Sequence, residues 1–279
     1  MTRTKLVVAL GALLACSGCF EEKVGVSLHA DRSGKLHLVR RSGEALTLIQ
    51  LLDASTPEEQ RSCARKALVD ELASWDGIAA WSDARYEVRD GRVETEATGW
   101  FVDANRVRSS EPGLGEHRLR VKTTASSLEL AWTFALPEST REATLDHARV
   151  MVKALEGFEL AGEIALPGPV THAEGATGEG PAWTIFSTRH VEGEIRDLEK
   201  RIAAGELTAE EAARKLHANH DEVTARVRCE VTETKSAAER FRVVLDEAKN
   251  AWESSELRAD VEARRSERVS REIAAASRR

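Results

Sequence analysis

Tyrosine occurs once in 279 residues, proline six times and cysteine four times, and the longest apolar stretch, Leu6 to Ala15, holds ten residues. Each scarcity excludes something. Ten residues make about 15 Å of helix, half of a hydrocarbon core about 30 Å thick, so this stretch is too short to span a bilayer. Catalytic signatures are missing too: there is no Gly-x-Ser-x-Gly, no His-Glu-x-x-His and no phosphate-binding loop, since the glycines from Gly175 to Gly180 lack the lysine and helix that such a loop needs. Excess positive charge is absent as well. The formal net charge is −7, and losing Arg3 and Lys5 with an N-terminal signal makes it −9, which argues against nucleic acid and against electrostatic docking on anionic lipid heads.

What is present begins at the N-terminus. Arg3 and Lys5 form a positive n-region, Leu6 to Ala15 an uncharged h-region, and Ala15 or Gly18 supplies the small residue that precedes a processing site. Residues 1–19 therefore read as an export signal. They resemble bacterial lipoprotein signal peptides, whose lipobox is a large apolar residue, one or two small residues and then the lipidated cysteine. Leu13-Leu14-Ala15-Cys16 has the apolar residue three places before Cys16 and a small one directly before it. Cys16-Ser17-Gly18-Cys19 has the better small pair but a cysteine where leucine is expected. Cys16 is the favoured lipidation site and Cys19 the alternative. The resemblance implies a thioether-linked diacylglycerol and an N-acyl chain, with palmitate as the expected fatty acid. Each buried methylene contributes about 0.8 kcal/mol, so two or three chains hold a protein on a membrane where one does not. Neither Ser17 nor Phe20 is the aspartate that retains family members at the inner membrane, so in a diderm bacterium the outer membrane is expected.

About 260 residues follow, enough for one large or two small cores. With 42% hydrophobic and 31% charged residues they read as globular. Cys63 and Cys229 are an even pair in an exported protein, which suggests a disulfide; closing that loop adds about 5 kcal/mol in the chain-entropy model. Two buried free thiols are the alternative.

Lys23 to Ala30 alternates apolar and polar residues, Asp31-Arg32-Ser33-Gly34 is a turn cluster, and Lys35 to Arg41 resumes the alternation, which predicts a hairpin. Thr56-Pro57-Glu58-Glu59 predicts a helix start with a capping box. Ala64, Ala67, Leu68, Glu71, Leu72 and Trp75 then recur at helical spacing, with Cys63 at the edge of that face. Ala84 to Arg89 and Arg92 to Phe101, joined by Asp90-Gly91, read as a second hairpin, and His117 to Thr124 with Ser127 to Leu136 as a third. Glu44 to Ala54 is a short apolar element and Thr140 to Leu155 a candidate helix. Phe158 to Leu166 and Ala182 to Thr188 are further strands. From Gly193 the composition shifts to Glu, Arg and Ala: helices at Glu194 to Ala204 and Thr208 to about His217, a strand at Val223 to Val231 with Cys229 inward, and a long helix after Ser236. Beyond Leu257 arginines multiply and apolar residues thin, the pattern of a frayed, solvated helix.

Leu166-Pro167-Gly168-Pro169-Val170-Thr171-His172-Ala173-Glu174-Gly175, followed by Trp183, resembles the closing segment of the LppM-type domain of actinobacterial lipoproteins, and the lipobox followed by a hairpin is also similar. The resemblance spans roughly residues 20–190. It implies an α+β domain, an antiparallel sheet against helices enclosing an apolar ligand groove, and carries over no catalytic residue.

The expected fold class is thus α+β: an antiparallel sheet built from hairpins packed on helices, with a helix-rich C-terminal region. Its expected divisions are 1–19 signal, 20–192 α+β domain, and 193–279 a helix pair, one strand and a long helix, which either stands apart or completes the first domain. His217 and His220 lie at i, i+3 beside Asp221 but lack a completing ligand group, so no metal and no cofactor is expected. Of the six tryptophans, Trp81 and Trp100 flank turn-rich stretches and are candidates to line a ligand groove. The function expected is that of a membrane-anchored envelope lipoprotein, not an enzyme, with a binding or structural role toward an envelope protein partner. The alternative is a carrier of lipid or a small apolar ligand, and an envelope hydrolase comes third.

Overall fold

The computed structural model of the chain describes residues 21–41, 54, 56–89, 92–111, 115–135, 159–174, 182–220 and 222–277. The signal segment, most of Glu44 to Ala54 and the candidate helix Thr140 to Leu155 lie outside the described residues. The fold is α+β, with two mainly antiparallel sheets and helices weighted toward the C-terminal part.

The first sheet contains β1 (Glu21–Leu28), β2 (Gly34–Arg41), β4 (Ala80–Arg89), β5 (Arg92–Phe101), β9 (Glu159–Ala165) and β11 (Ala182–Ser187), in the order β11-β9-β1-β2-β5-β4. Its pairs are antiparallel except for β1 with β9. The two hairpins expected there form with Val24 opposite Leu38 and Val88 opposite Val93. A bulge interrupts β4 between Ser82 and Arg85, where Asp83 takes a left-handed φ of 53°. Aspartate tolerates that conformation better than most residues.

The second sheet contains β3 (Trp75–Asp76), β6 (Arg108–Glu111), β7 (Gly115–Thr123), β8 (Ser127–Ala135), β10 (Val170–Glu174) and β12 (Glu222–Glu230), in the order β10-β12-β8-β7-β6-β3. On β8, Leu128, Leu130, Trp132 and Phe134 are buried and alternate with partly exposed residues, as a strand covered on one face requires.

Helix α1 (Pro57–Ser74) starts as its sequence dictates. The Glu59 backbone donates to Thr56 Oγ1, and the Thr56 backbone to the Glu59 carboxylate at 2.9 Å. The helix pair is α2 (Thr188–Ala203) and α3 (Ala209–His220), the latter opened by the Thr208–Glu211 capping box. Then come α4 (Lys235–Glu253), which buries Phe241, Leu245, Ala248 and Trp252, and α5 (Glu256–Ala276).

One buried apolar cluster draws on both sheets and on α1 through α5. β12 lies inside the second sheet between β10 and β8, and α4 packs on β4 and β5 of the first. Buried residues of α2 through α5 and of β12 thus belong to the same cluster as those of β1, β2, β5, β7 and β8.

The C-terminal helix departs from the frayed end expected of it. Val261 of α5 is fully buried, and the arginines are used structurally. The last turn of α1 carries no basic residue of its own, leaving its terminal carbonyls and the negative end of its dipole uncompensated. Arg265 of α5 donates to the carbonyls of Leu72 and Trp75 (3.4 and 2.8 Å), and Arg268 to the carbonyl of Ser74 (2.9 Å) and to Asp76 (2.8 Å). Arg264 pairs with Asp70, and Arg65 with Asp260. One helix thus caps another from a distance of some 190 residues in the chain.

Replacing Arg265 or Arg268 by methionine is expected to cost about 1.5–3 kcal/mol each, the magnitude of hydrogen bonds made by charged groups. Urea unfolding measures this. Unchanged midpoints for both variants would show that α5 does not cap α1.

Candidate functional site

Two groups of polar residues stand out, one inside the core and one in a surface cleft. Inside, Arg40 on β2 forms an ion pair with Glu71 on α1; both side chains are nearly removed from solvent. Trp75 Nε1 donates to Glu71 Oε1 at 3.1 Å. His117 on β7, 5% exposed, stacks beside Trp75 with ring centroids 5.4 Å apart, and its Nδ1 accepts from Trp132 Nε1 at 3.3 Å. Burial, reinforced by the nearby Arg40 charge, pushes the His117 pKa down to about 3, so the imidazole is neutral at physiological pH.

The cleft, of about 750 Å³, lies where the β1–β2 turn, residues 77–79, residues 102–106 and α4 meet. The turn is held tightly. His29 and Ala30 N–H both bind the Glu233 carboxylate, and Arg242 of α4 donates to Asp31 Oδ2 at 2.8 Å. Asp31 also accepts from the Ser33 backbone and hydroxyl. Burial alone would raise its pKa, but the Ser33 and Arg242 hydrogen bonds outweigh burial and hold it below the usual value. The Ala104 backbone donates to the Arg32 carbonyl at 2.9 Å, which ties the turn to residues 102–106.

Two backbone positions at the cleft are left-handed. Gly77 has φ 79°, and a Cβ there would lie 2.2 Å from the Arg106 carbonyl oxygen, so only glycine fits. Arg32 has φ 70°, a conformation that costs a non-glycine residue about 1–3 kcal/mol and persists only where its surroundings enforce it. Ile78, Ala79, Val102 and Leu245 give the cleft an apolar lining. Of its cations, Arg242 pairs with Asp31 and Lys249 with Asp246, while Arg32 stands 3.7 Å from Asp103. Arg106 is exposed, and among the described residues its guanidinium has no partner.

The residues singled out in the sequence lie elsewhere. Cys16 and Cys19 fall outside the described residues. Cys63 on α1 is half-buried and Cys229 on β12 fully buried, and the structure holds both as free thiols, the alternative to the suggested disulfide. Burial pushes the Cys229 thiol up. Trp81 and Trp100 are buried in the core, and neither lines the cleft. Trp81 (3% exposed) covers Gly99, where a Cβ would lie 2.8 Å from the ring. Trp100 donates to Ser82 Oγ at 2.8 Å, stacks on Phe241 and lies 4.0 Å beneath Lys35 Nζ. Among the described residues no three His, Cys, Asp or Glu converge as a metal site, and no helix is long and apolar enough to cross a membrane.

The depressed His117 pKa has a definite sign. Between its folded value near 3 and its unfolded value near 6.5 the unfolded state binds more protons, so stability is complete above pH 6.5 and is lost as pH falls. The lowered carboxylates Asp31, Glu129 (paired with Arg228) and Glu211 (bound by the Thr208 backbone) add the same trend only below about pH 4.5. From pH 6.5 to 4.5 the unfolding free energy should drop by up to about 1.4 kcal/mol per pH unit. His117→Gln, which retains an acceptor for Trp132, should flatten that slope, and denaturant titrations at each pH would reveal its persistence. A separate check is thiol counting on residues 20–279. One thiol, Cys63, should react in the native state and two after unfolding, and a mass two hydrogens light would overturn the free-thiol assignment.

No family model matches this chain, and no curated protein does. Among solved structures it is similar to the folded domain of LppM from Mycobacterium tuberculosis, determined by NMR, at 9% identity and a TM-score of 0.34, covering 79% of this chain and 95% of that one.

Proposed function

We propose that the chain is a membrane-anchored lipoprotein of the cell envelope with a non-enzymatic binding role, and that the cleft at the β1–β2 turn is its binding site. The anchor rests on the lipobox-like sequences ending at Cys16 and Cys19. The binding role rests on one observation: a cleft of about 750 Å³ whose Arg106 guanidinium has no carboxylate partner among the described residues. Volumes of 300–1,000 Å³ are those of ligand sites.

The position of the cleft fits this reading. β1 begins at Glu21, close behind either candidate cysteine, and its eight residues place the turn about 26 Å further along the strand. The cleft is at the end of β1 remote from the anchor, open to water-borne ligands or partners. A carrier of lipid or a small apolar ligand is the second reading, favoured by Ile78, Val102 and Leu245 in the lining. Seven charged side chains among thirteen lining residues favour a ligand with a charged end.

Metabolic labelling with a palmitate analogue tests the anchor. Wild-type protein should carry the label and Cys16→Ser should lose it; retention in that variant with loss in Cys19→Ser moves the anchor to Cys19, and no label in the wild type removes it. Native mass spectrometry of residues 20–279 made in a bacterial periplasm tests the binding role. A stoichiometric added mass that organic extraction or Arg106→Ala removes is the expected result, and a bare protein mass counts against a tightly held ligand.

A further inference from the structure

We propose that the cleft recognises a carboxylate carried on a short apolar body, with the guanidinium groups of Arg106 and Arg32 as its receptors; this deepens the binding role proposed above and rests on it. The assignment follows from which charges in the cleft are already satisfied. Asp31 accepts from Ser33 and Arg242, and Asp246 from Lys249 at 3.0 Å. Asp103 accepts from the Asn105 backbone, while Arg32 at 3.7 Å is beyond hydrogen-bonding distance of it. The lining carboxylates are therefore engaged, whereas Arg106 has no partner among the described residues and Arg32 only a loose one.

Backbone contacts tie together the segments that carry both arginines. Ala104 N–H binds the Arg32 carbonyl, and the left-handed φ of Arg32 sets the course of the turn at that point. The Arg106 carbonyl packs against Gly77 so closely that no side chain fits there, which fixes residues 77 and 106 against each other. Strained, over-determined backbone of this kind is characteristic of binding sites. A guanidinium presents a planar fork of donors that matches a carboxylate, and such charge-assisted pairs are stronger than neutral hydrogen bonds. Val102, 55% exposed, and the half-buried Ala79 offer apolar surface in the lining to whatever bears the anion.

A carboxylate on an apolar body has two sources, the C-terminus of a polypeptide and a free organic acid. Three probes separate them: N-acetyl-alanyl-valyl-leucine as its free acid, the same peptide as its C-terminal amide, and 4-methylpentanoate. Each is titrated into ¹⁵N-labelled residues 20–279, which contain every described element, and amide shifts are followed by NMR. A free acid should give saturable shifts confined to residues 29–33, 77–79 and 102–106, with the amide weaker by about tenfold or more, as loss of a charge-assisted hydrogen bond requires. Arg106→Ala should weaken the acid to a similar degree and Arg106→Lys less, with thermal midpoints unchanged because the Arg106 guanidinium has no partner among the described residues. Binding by the tripeptide acid alone identifies a polypeptide terminus, and binding by 4-methylpentanoate identifies a free acid. Equal affinity for acid and amide, indifference to Arg106→Ala, or no saturable shift with either acid would overturn the assignment. If the acids fail while an extractable mass still accompanies the native protein, the carboxylate assignment falls and the binding role stands.

Discussion

The ion pair between Arg40 and Glu71 is the constraint on which the rest of the interior depends. A guanidinium and a carboxylate so far from water retain their charges only when paired and hydrogen-bonded. Glu71 takes a second donor from Trp75, and the Arg40 charge helps to keep His117 neutral so that it accepts from Trp132. The network joins β2 of one sheet to β7 and β8 of the other through α1. Its energetic value lies in specificity more than in raw stability, since apolar replacements of buried ion pairs are often neutral. A one-residue slip of β2 would turn Arg40 outward and Val39 inward, leaving Glu71 buried without its cation.

The same logic of unsatisfied groups explains the C-terminal helix. α1 ends directly in β3, with no glycine cap and no basic residue in its last turn. Its carbonyls need donors, and Arg265 and Arg268 supply them from α5. A helix with few buried apolar residues is thereby held by polar contacts and contributes to the fold although Val269 and Ile273 remain exposed near its end. The cost of this arrangement is visible in the buried Nε atoms of both arginines, which have no partner among the described residues.

The cleft stands outside that network and uses its charges differently. In the core Arg40 and Glu71 match each other's charge, because an unmatched one there costs several kcal/mol. At the cleft, water tolerates the exposed Arg106 guanidinium, which has no partner among the described residues. The turn that carries Arg32 is clamped by His29–Glu233 just before α4 and by Asp31–Arg242 of α4, giving the site a firm wall at the Leu28 end of β1.

Local interactions made the hairpins, the Thr56–Glu59 capping box and the α+β class legible from the sequence, because alternation and cap chemistry act between residues close in the chain. The buried pair was half legible: Arg40 shares the inward parity of Leu36 and Leu38, His117 that of Leu119 and Val121, and Glu71 falls in the apolar stripe of α1. Parity places a charge in the core without naming its partner, since Glu71 and Arg40 meet only when a helix closes on a sheet. The tryptophans misled for a related reason; neighbouring turns suggested a groove, while packing against Gly99 and Phe241 put Trp81 and Trp100 inside. Nothing in the sequence marked Arg106. What the sequence determined by itself was the local order of elements and the signal-like N-terminus. Which arginines cap a helix, which neutralise a buried acid and which stay available for a ligand was decided by tertiary structure alone, because an arginine's role depends on the groups that long-range packing brings within hydrogen-bonding distance of it.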